Sequence, residues 1–146
     1  MDESVYRQVV STNIAGPCSF ERSILTRCVA CRLAYRHNVA EREIVACKDA
    51  ASRDRCIALH DTLRRSFMFA LHRREGDGPL THAQEMRVQC GGLTGLQFVL
   101  DGAAEVGDVC DLVARSVQAY SDIDGFPYSQ IVHWATANYK YRSNSK

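Results

Sequence analysis

Cysteine is the residue that most constrains this chain of 146 amino acids, because seven cysteines are distributed very unevenly along it. Five of them lie within the 39 residues from Cys18 to Cys56, and only Cys90 and Cys110 follow. Free cysteine often serves as a small buried residue, but core filling alone would spread the seven more evenly. The clustering therefore indicates a thiol-based site in the first half of the chain.

The rest of the composition is that of an ordinary globular chain, with 46% hydrophobic and 24% charged residues. No segment approaches the roughly 20 apolar residues of a membrane span. The start of the chain also lacks the basic and apolar pattern of a signal peptide. We therefore expect a cytoplasmic protein without a membrane partner. An odd number of cysteines in a reducing compartment argues against a disulfide framework.

Apolar residues recur at helical spacing in successive segments and predict an all-α fold, an antiparallel bundle of about five to six helices. We expect one domain over residues 1–146, with a first helix over residues 20–36. Asn38 and Glu41 have the spacing of a capping box for a second helix ending near Cys47. A third helix, carrying Cys56 and Leu71, is predicted to end before residues 76–79.

Three more helices are predicted in the second half of the chain from their start signals. Thr81 with Gln84 forms a second capping-box pattern, and Asp108 precedes an apolar stripe that includes Cys110. The last helix is predicted to begin near Tyr128. Gly91, Gly92 and Gly95 weaken the helix that begins after Thr81, since each glycine costs about 1 kcal/mol there. Either a bound ligand or a closely crossing helix would explain them.

Charge divides the chain into a basic, cysteine-rich part and a more acidic helical part. Residues 18–75 contain 12 basic and 7 acidic residues, and residues from 76 onward contain 5 basic and 8 acidic ones. Positive charge lowers the pKa of thiols and balances an anionic cluster. A solvated basic helix face would show the same pattern.

The pair Cys28 and Cys31 would present two sulfur atoms on one helix face. In a hairpin of two helices, Cys47 would lie level with Cys28. The predicted metal ligands are four of the five cysteines of the first half, with Cys90 in reserve beside its glycines: Cys18, Cys28, Cys31, Cys47 and Cys56. Cys110 is assigned to the core.

The wide ligand spacing favours an iron–sulfur cluster, of the 4Fe–4S type, over zinc, which prefers two tight pairs. The predicted role is electron transfer, redox sensing or service to a larger enzyme. The alternatives are a structural zinc site and a metal-free helical interaction or regulatory module, with cysteines that form its core or a redox switch.

Catalysis is not the expected role, although Cys56 and His60 have the spacing of a nucleophile and its base. No neighbouring carboxylate is evident to orient the histidine, and a histidine at the edge of the core explains it as well. For a partner, the sequence favours an acidic protein over nucleic acid. The basic residues that would contact it lie close together: Arg64, Arg65, Arg73 and Arg74.

Overall fold

The computed structural model describes residues 15–140, which form a mixed α/β fold rather than the predicted all-α bundle. The strands are β1 (Gly16–Pro17), β2 (Ala34–Val39) and β3 (Arg42–Cys47), which form one antiparallel sheet in the order β1–β3–β2. The helices are α1 (Glu21–Leu25), α2 (Ala50–Phe67), α3 (His82–Met86), α4 (Gly92–Asp101), α5 (Val109–Tyr120) and α6 (Tyr128–Asn138). A π-helical turn (Arg87–Gly91) joins α3 to α4, and a 3-10 turn (Ile123–Gly125) precedes α6.

The second predicted helix is wrong, because residues 34–47 form a β-hairpin. Strands β2 and β3 pair from Ala34 opposite Cys47 to Val39 opposite Arg42. Ala40 and Glu41 make the two-residue turn with φ values of 50° and 66°, and positive φ at both positions is the sign pattern of a type I′ turn. The β-branched residues flanking this turn suit strands. The spacing of Asn38 and Glu41 therefore spans a hairpin turn and caps no helix.

The first predicted helix is wrong over most of its length, since only residues 21–25 are helical. The chain turns at Arg27, whose φ is 66°, and then runs as an irregular segment to β2. Val29 in this segment forms a parallel bridge with Val106, in the connection between α4 and α5. The segment is therefore held by distant partners, and Cys28 and Cys31 do not share a helix face.

Three later helix starts are confirmed. The third predicted helix is present as α2, which begins after Asp49, whose side chain accepts from Ser52 N, and ends at Phe67 before Leu71. Thr81 and Gln84 form the predicted capping box of α3, and Asp108 accepts from Cys110 N at the start of α5. Helix α6 begins at Tyr128, as predicted. The starts at Thr81 and Asp108 depend on residues within three positions of one another, so the local sequence identifies them.

Close crossing of helices explains the glycines that follow Cys90. A Cβ atom at Gly92 would lie 2.9 Å from Leu63 Cδ1 in α2, and one at Gly95 would lie 3.0 Å from the Ile131 carbonyl oxygen in α6. Leu63, Leu96 and Ile131 are fully buried around these contacts. The glycines thus allow helix packing, and of the two explanations open from the sequence the structure supports this one.

No helix within residues 15–140 is both long enough and apolar enough to cross a membrane.

Candidate functional site

The predicted ligand cysteines come from separate elements that meet beneath the sheet. Cys18 follows β1, and Cys47 ends β3. Cys28 and Cys31 lie in the segment between α1 and β2. Cys56 lies in α2 and Cys90 in the π-helical turn. The fold divides these six residues into a disulfide-bonded pair and a group of free thiols.

The disulfide joins Cys28 to Cys90, with a Cα–Cα distance of 6.1 Å. Cys90 is buried at 1% exposure, whereas Cys28 is half-buried. The bond joins the irregular segment after α1 to the continuous helical segment of residues 82–101. The sequence analysis had argued against disulfides. A single disulfide between distant residues leaves no motif in the sequence. Two of the six candidate ligands are therefore covalently occupied with each other.

The five remaining cysteines line one small cavity of about 20 Å³. Four of them are predicted ligands, and the fifth is Cys110, which the sequence assigns to the core. Apolar side chains complete most of the wall, including Phe20, Ile24 and Val109. Cys110 Sγ lies 3.8 Å from Ser52 Oγ, and Cys47 Sγ donates to the Asp49 carbonyl oxygen at 3.4 Å. The clustering along the sequence thus does become a cluster in space.

Burial raises the pKa of three of these thiols, which favours their protonated form. Burial is the main cause that raises the pKa of Cys18 to about 12, and the neighbouring Cys31 and Cys47 raise it further. Burial likewise raises the pKa of Cys56, with smaller contributions from the surrounding cysteines. Burial also raises the pKa of Cys31, and nearby Asp108 adds to this effect. A thiol reacts as a nucleophile in its deprotonated form, so the raised pKa values lower the reactivity of these three thiols.

The description of the chain as an iron–sulfur, metal-binding protein is therefore corrected. Within residues 15–140, no group of three or more His, Cys, Asp or Glu side chains is placed to hold a metal ion. Cys28 and Cys90 are bonded to each other, and the shared helix face of Cys28 and Cys31 does not exist.

A larger cleft of about 610 Å³ opens beside the disulfide. One wall is the segment that contains Arg27, Cys28 and Cys31, and the opposite wall is the connection around Glu105 and Val106. Ala30 N donates to the Val106 carbonyl oxygen at 3.2 Å and so joins the two walls. Cys31 also lines the thiol cavity, so it is the cysteine that borders both spaces.

A polar network centred on His60 lies against the thiol cavity. His60 Nδ1 is 2.9 Å from Ser19 Oγ, and His60 Nε2 is hydrogen-bonded to Glu85. Gln89 Nε2 donates to the same carboxylate at 2.9 Å, and Arg64 Nη2 lies 3.4 Å from its other oxygen. The predicted partner Cys56 instead lines the cavity. His60 therefore does have an orienting carboxylate, which a different helix supplies.

Burial alone would raise the pKa of Glu85. Hydrogen bonds from His60 and Gln89, together with the charges of His60 and Arg64, outweigh this effect and bring the pKa down to about 2. Glu85 is thus an ionised carboxylate at 6% exposure. In the sequence, Glu85 is a charged residue on the apolar stripe of the predicted fourth helix, and Gln89 follows one turn later. This pattern could have identified the two as buried polar residues. The sequence reasoning missed both residues and Ser19.

The four arginines predicted to contact a partner divide into two pairs. Arg64 is engaged with Asp61 and Glu85, and Arg73 donates to three backbone carbonyl oxygens in residues 77–79. Arg65 and Arg74 have exposed side chains. The first pair stabilises the fold, and the second pair faces solvent.

Comparisons with models of protein families, with curated proteins and with solved structures found no match to this chain in any of the three. What the chain does is therefore argued from its own geometry.

Proposed function

We propose that this chain is a metal-free regulatory module in which the Cys28–Cys90 disulfide acts as a redox switch. The observation that carries the proposal is the crosslink itself, which ties a wall of the 610 Å³ cleft to the helical segment of residues 82–101. Of the five other thiols, Cys47 is buried and the rest are half-buried around one small cavity, and we assign all five to packing. Burial raises the pKa of Cys18, Cys31 and Cys56, which supports this assignment.

Reduction can start at Cys28, because this residue is half-buried and lines the open cleft, while Cys90 is enclosed. The thiolate of a dithiol reductant attacks Cys28 Sγ, and Cys90 leaves as a thiol after taking up a proton. The second thiol of the reductant then releases Cys28. Two electrons and two protons pass to the protein, and the reductant becomes a disulfide.

The disulfide contributes enough free energy to determine how firmly the Cys28 segment is held. It closes a loop with a sequence separation of 62 residues. Chain-entropy arguments give such a crosslink about 4 kcal/mol of stabilisation. This is a large share of the roughly 5–15 kcal/mol that keeps a typical domain folded. Breaking it therefore changes how firmly the Cys28 segment stays in place.

The expected readout of the switch is the shape of the cleft. When the disulfide is broken, the Cys28 segment keeps the backbone hydrogen bonds of Ala30 with Val106 and Val109, at 3.2 and 2.8 Å, and the buried side chain of Val29. It also keeps the ion pair of Arg32 with Asp108, at 2.8 Å. That ion pair is exposed, and exposed pairs contribute about 0–1 kcal/mol. We expect the reduced segment to move and the cleft to open or close with it.

An experiment on the purified protein tests the switch directly. Thiols are alkylated in denaturant after purification without reductant, and again after treatment with dithiothreitol. The expected count is five modified cysteines before reduction and seven after it, with Cys28 and Cys90 as the added sites. Seven modified cysteines in the untreated protein would contradict the proposal. A Cys110→Ser variant is the control, and should lose one site in both states.

The partner we propose for this module is an acidic protein surface, which the exposed Arg65 and Arg74 would contact. Polyglutamate serves as the probe, in a titration near ~0.1 M salt, where charges attract over about 10 Å. Binding should weaken with salt and with the double variant Arg65→Glu/Arg74→Glu. Random duplex DNA should bind no tighter than the ~micromolar non-specific range. Submicromolar DNA binding would make nucleic acid the partner instead.

A further inference from the structure

The hydrogen-bonded chain Ser19–His60–Glu85 is a second site, distinct from the disulfide. It links a hydroxyl, an imidazole and a carboxylate in the order that activates a nucleophile. The side chains of His60 and Glu85 are only 9% and 8% exposed, whereas Ser19 is half-buried. The three residues come from different elements, so the fold and not the local sequence brings them together.

The ionised Glu85 fixes the tautomer of His60. In the neutral form of His60, the form that can act as a base, the carboxylate beside Nε2 places the ring proton on Nε2, where it is donated to Glu85 Oε2. Arg64 Nη2 lies 3.1 Å from the same nitrogen. Nδ1 then has a lone pair and accepts from Ser19 Oγ at 2.9 Å. Gln89 and Arg64 hold the carboxylate from its other sides. The imidazole is therefore positioned to take the Ser19 proton, as in serine-based acyl transfer.

Ser19 also lines the apolar cavity that the thiols share, which gives its oxygen a neighbouring space for a small group. The cavity volume is about 20 Å³, and a volume of roughly 10–15 Å³ is enough for one water molecule. The wall near Ser19 is made of Phe20, Ile24 and Leu33 together with the cysteine thiols. Such a space suits the methyl group of an acetyl chain and excludes long chains.

We propose that Ser19 is the nucleophile of an acyl-transfer site that accepts a short acyl group from an activated ester. His60 is its general base, and Glu85 is a positioning residue that orients His60. Ser19 Oγ forms a bond to the acyl carbon, and the carbon–oxygen bond to the leaving group breaks. The proton of Oγ passes to His60 Nδ1 and then to the departing oxygen. The products are acyl-Ser19 and the free alcohol, with no change of oxidation state.

The test uses p-nitrophenyl acetate with the wild-type protein. We expect a burst of nitrophenolate that matches the protein concentration, and an acetyl group on Ser19 in the peptide map. Ser19→Ala should abolish the burst. Ser66→Ala is the matched control, because the Ser66 hydroxyl donates to the Thr62 carbonyl oxygen at 2.8 Å and does not line this cavity, and it should react like the wild type. The octanoate ester should react much more slowly than the acetate.

Variants of the other two residues separate chemistry from structure. His60→Gln should lower the acylation rate by about 10²-fold or more, the usual contribution of a general base. Glu85→Gln should lower the rate at saturating ester and leave the half-saturating concentration unchanged. An unchanged burst in Ser19→Ala, or acetylation of cysteine or lysine in place of Ser19, would overturn the proposal.

A measurement on the unmodified chain covers the case in which a variant fails to fold. A small alkyl phosphonofluoridate should label Ser19 of the wild-type protein with loss of fluoride. No label, or a label spread over several serines, would contradict the proposal.

Discussion

The sheet region, residues 16–47, and the helical region, residues 82–138, are stabilised in different ways. The sheet region adds Phe20, Ile24, Val29 and Val45 to the common core. It is also joined to the helical region by the Cys28–Cys90 disulfide and by a hydrogen bond from Ser23 N to Gln89 Oε1 at 3.1 Å. The helical region is held by close apolar packing, in which Leu93, Leu96 and Ile131 are fully buried. A chemical change can therefore act on the first region while the second stays folded, as a switch requires.

The largest expected effect comes from removing the disulfide. Cys28→Ser should lower the free energy of unfolding by about 2–5 kcal/mol, the usual cost of losing a native disulfide. The measurement is urea unfolding without reductant. Dithiothreitol should bring the wild type close to the variant and leave the variant unchanged. Equal midpoints for both proteins in the absence of reductant would show that the crosslink does not hold the sheet region.

The next largest effect concerns Glu85, at the boundary between the two regions. Its folded-state pKa of about 2 lies below the ordinary value of 4.5. Its stabilisation is therefore complete above pH 4.5 and is lost as the pH falls through 2. At neutral pH, Glu85→Gln should cost roughly 2 kcal/mol. The difference from wild type should shrink across this acid range in thermal unfolding at stepped pH. A difference independent of pH would contradict the ionised state.

A steric change should act on the helical region alone. Gly95→Ala places a methyl group about 3.0 Å from the Ile131 carbonyl oxygen, which is backbone and must move with its helix. Overpacking of this kind costs typically ~1–3 kcal/mol. Gly107→Ala is the matched control, since nothing lies within 4 Å of the added atom. Similar melting temperatures for the two variants would show that α4 and α6 do not cross as closely as described.

The smallest expected effect is the loss of one polar attachment of the sheet. Glu21→Gln weakens the hydrogen bond to Val45 N, and should cost about 1 kcal/mol in urea unfolding. Glu43→Gln is the control, because its carboxylate pairs with Arg36 on an exposed strand at 2.8 Å. The control should change the midpoint much less. The reverse order would mean that exposed strand pairs, and not the Glu21 contact, attach the sheet.

The same comparison explains which parts of the fold were readable from the sequence. Thr81 and Gln84 have the capping-box spacing and do cap a helix, within a region whose helices bury their own apolar stripes. Asn38 and Glu41 have the same spacing but lie across a hairpin turn, because β3 pairs on both sides with strands. A local pattern is thus reliable only where no distant strand competes for the same backbone.

The site was predictable to a similar, limited extent. The clustering of cysteines along the sequence indicated a shared site, and Cys18, Cys31, Cys47 and Cys56 do line one cavity. The raised pKa values of Cys18, Cys31 and Cys56 depend on burial, and burial depends on the complete fold. The Cys28–Cys90 pair and the contact of Ser19 with His60 span 62 and 41 positions. Contacts over such separations have no local signature, so a single sequence cannot reveal them.

Hydrogen exchange of the oxidised and the reduced protein tests the switch most directly. After reduction, the amides of residues 26–33 should exchange faster, since the segment loses its covalent attachment to Cys90. The amides of α4 and α6 should keep their protection, because apolar packing holds them. Equal exchange of residues 26–33 in both states would contradict the account, as would equal loss of protection throughout residues 15–140.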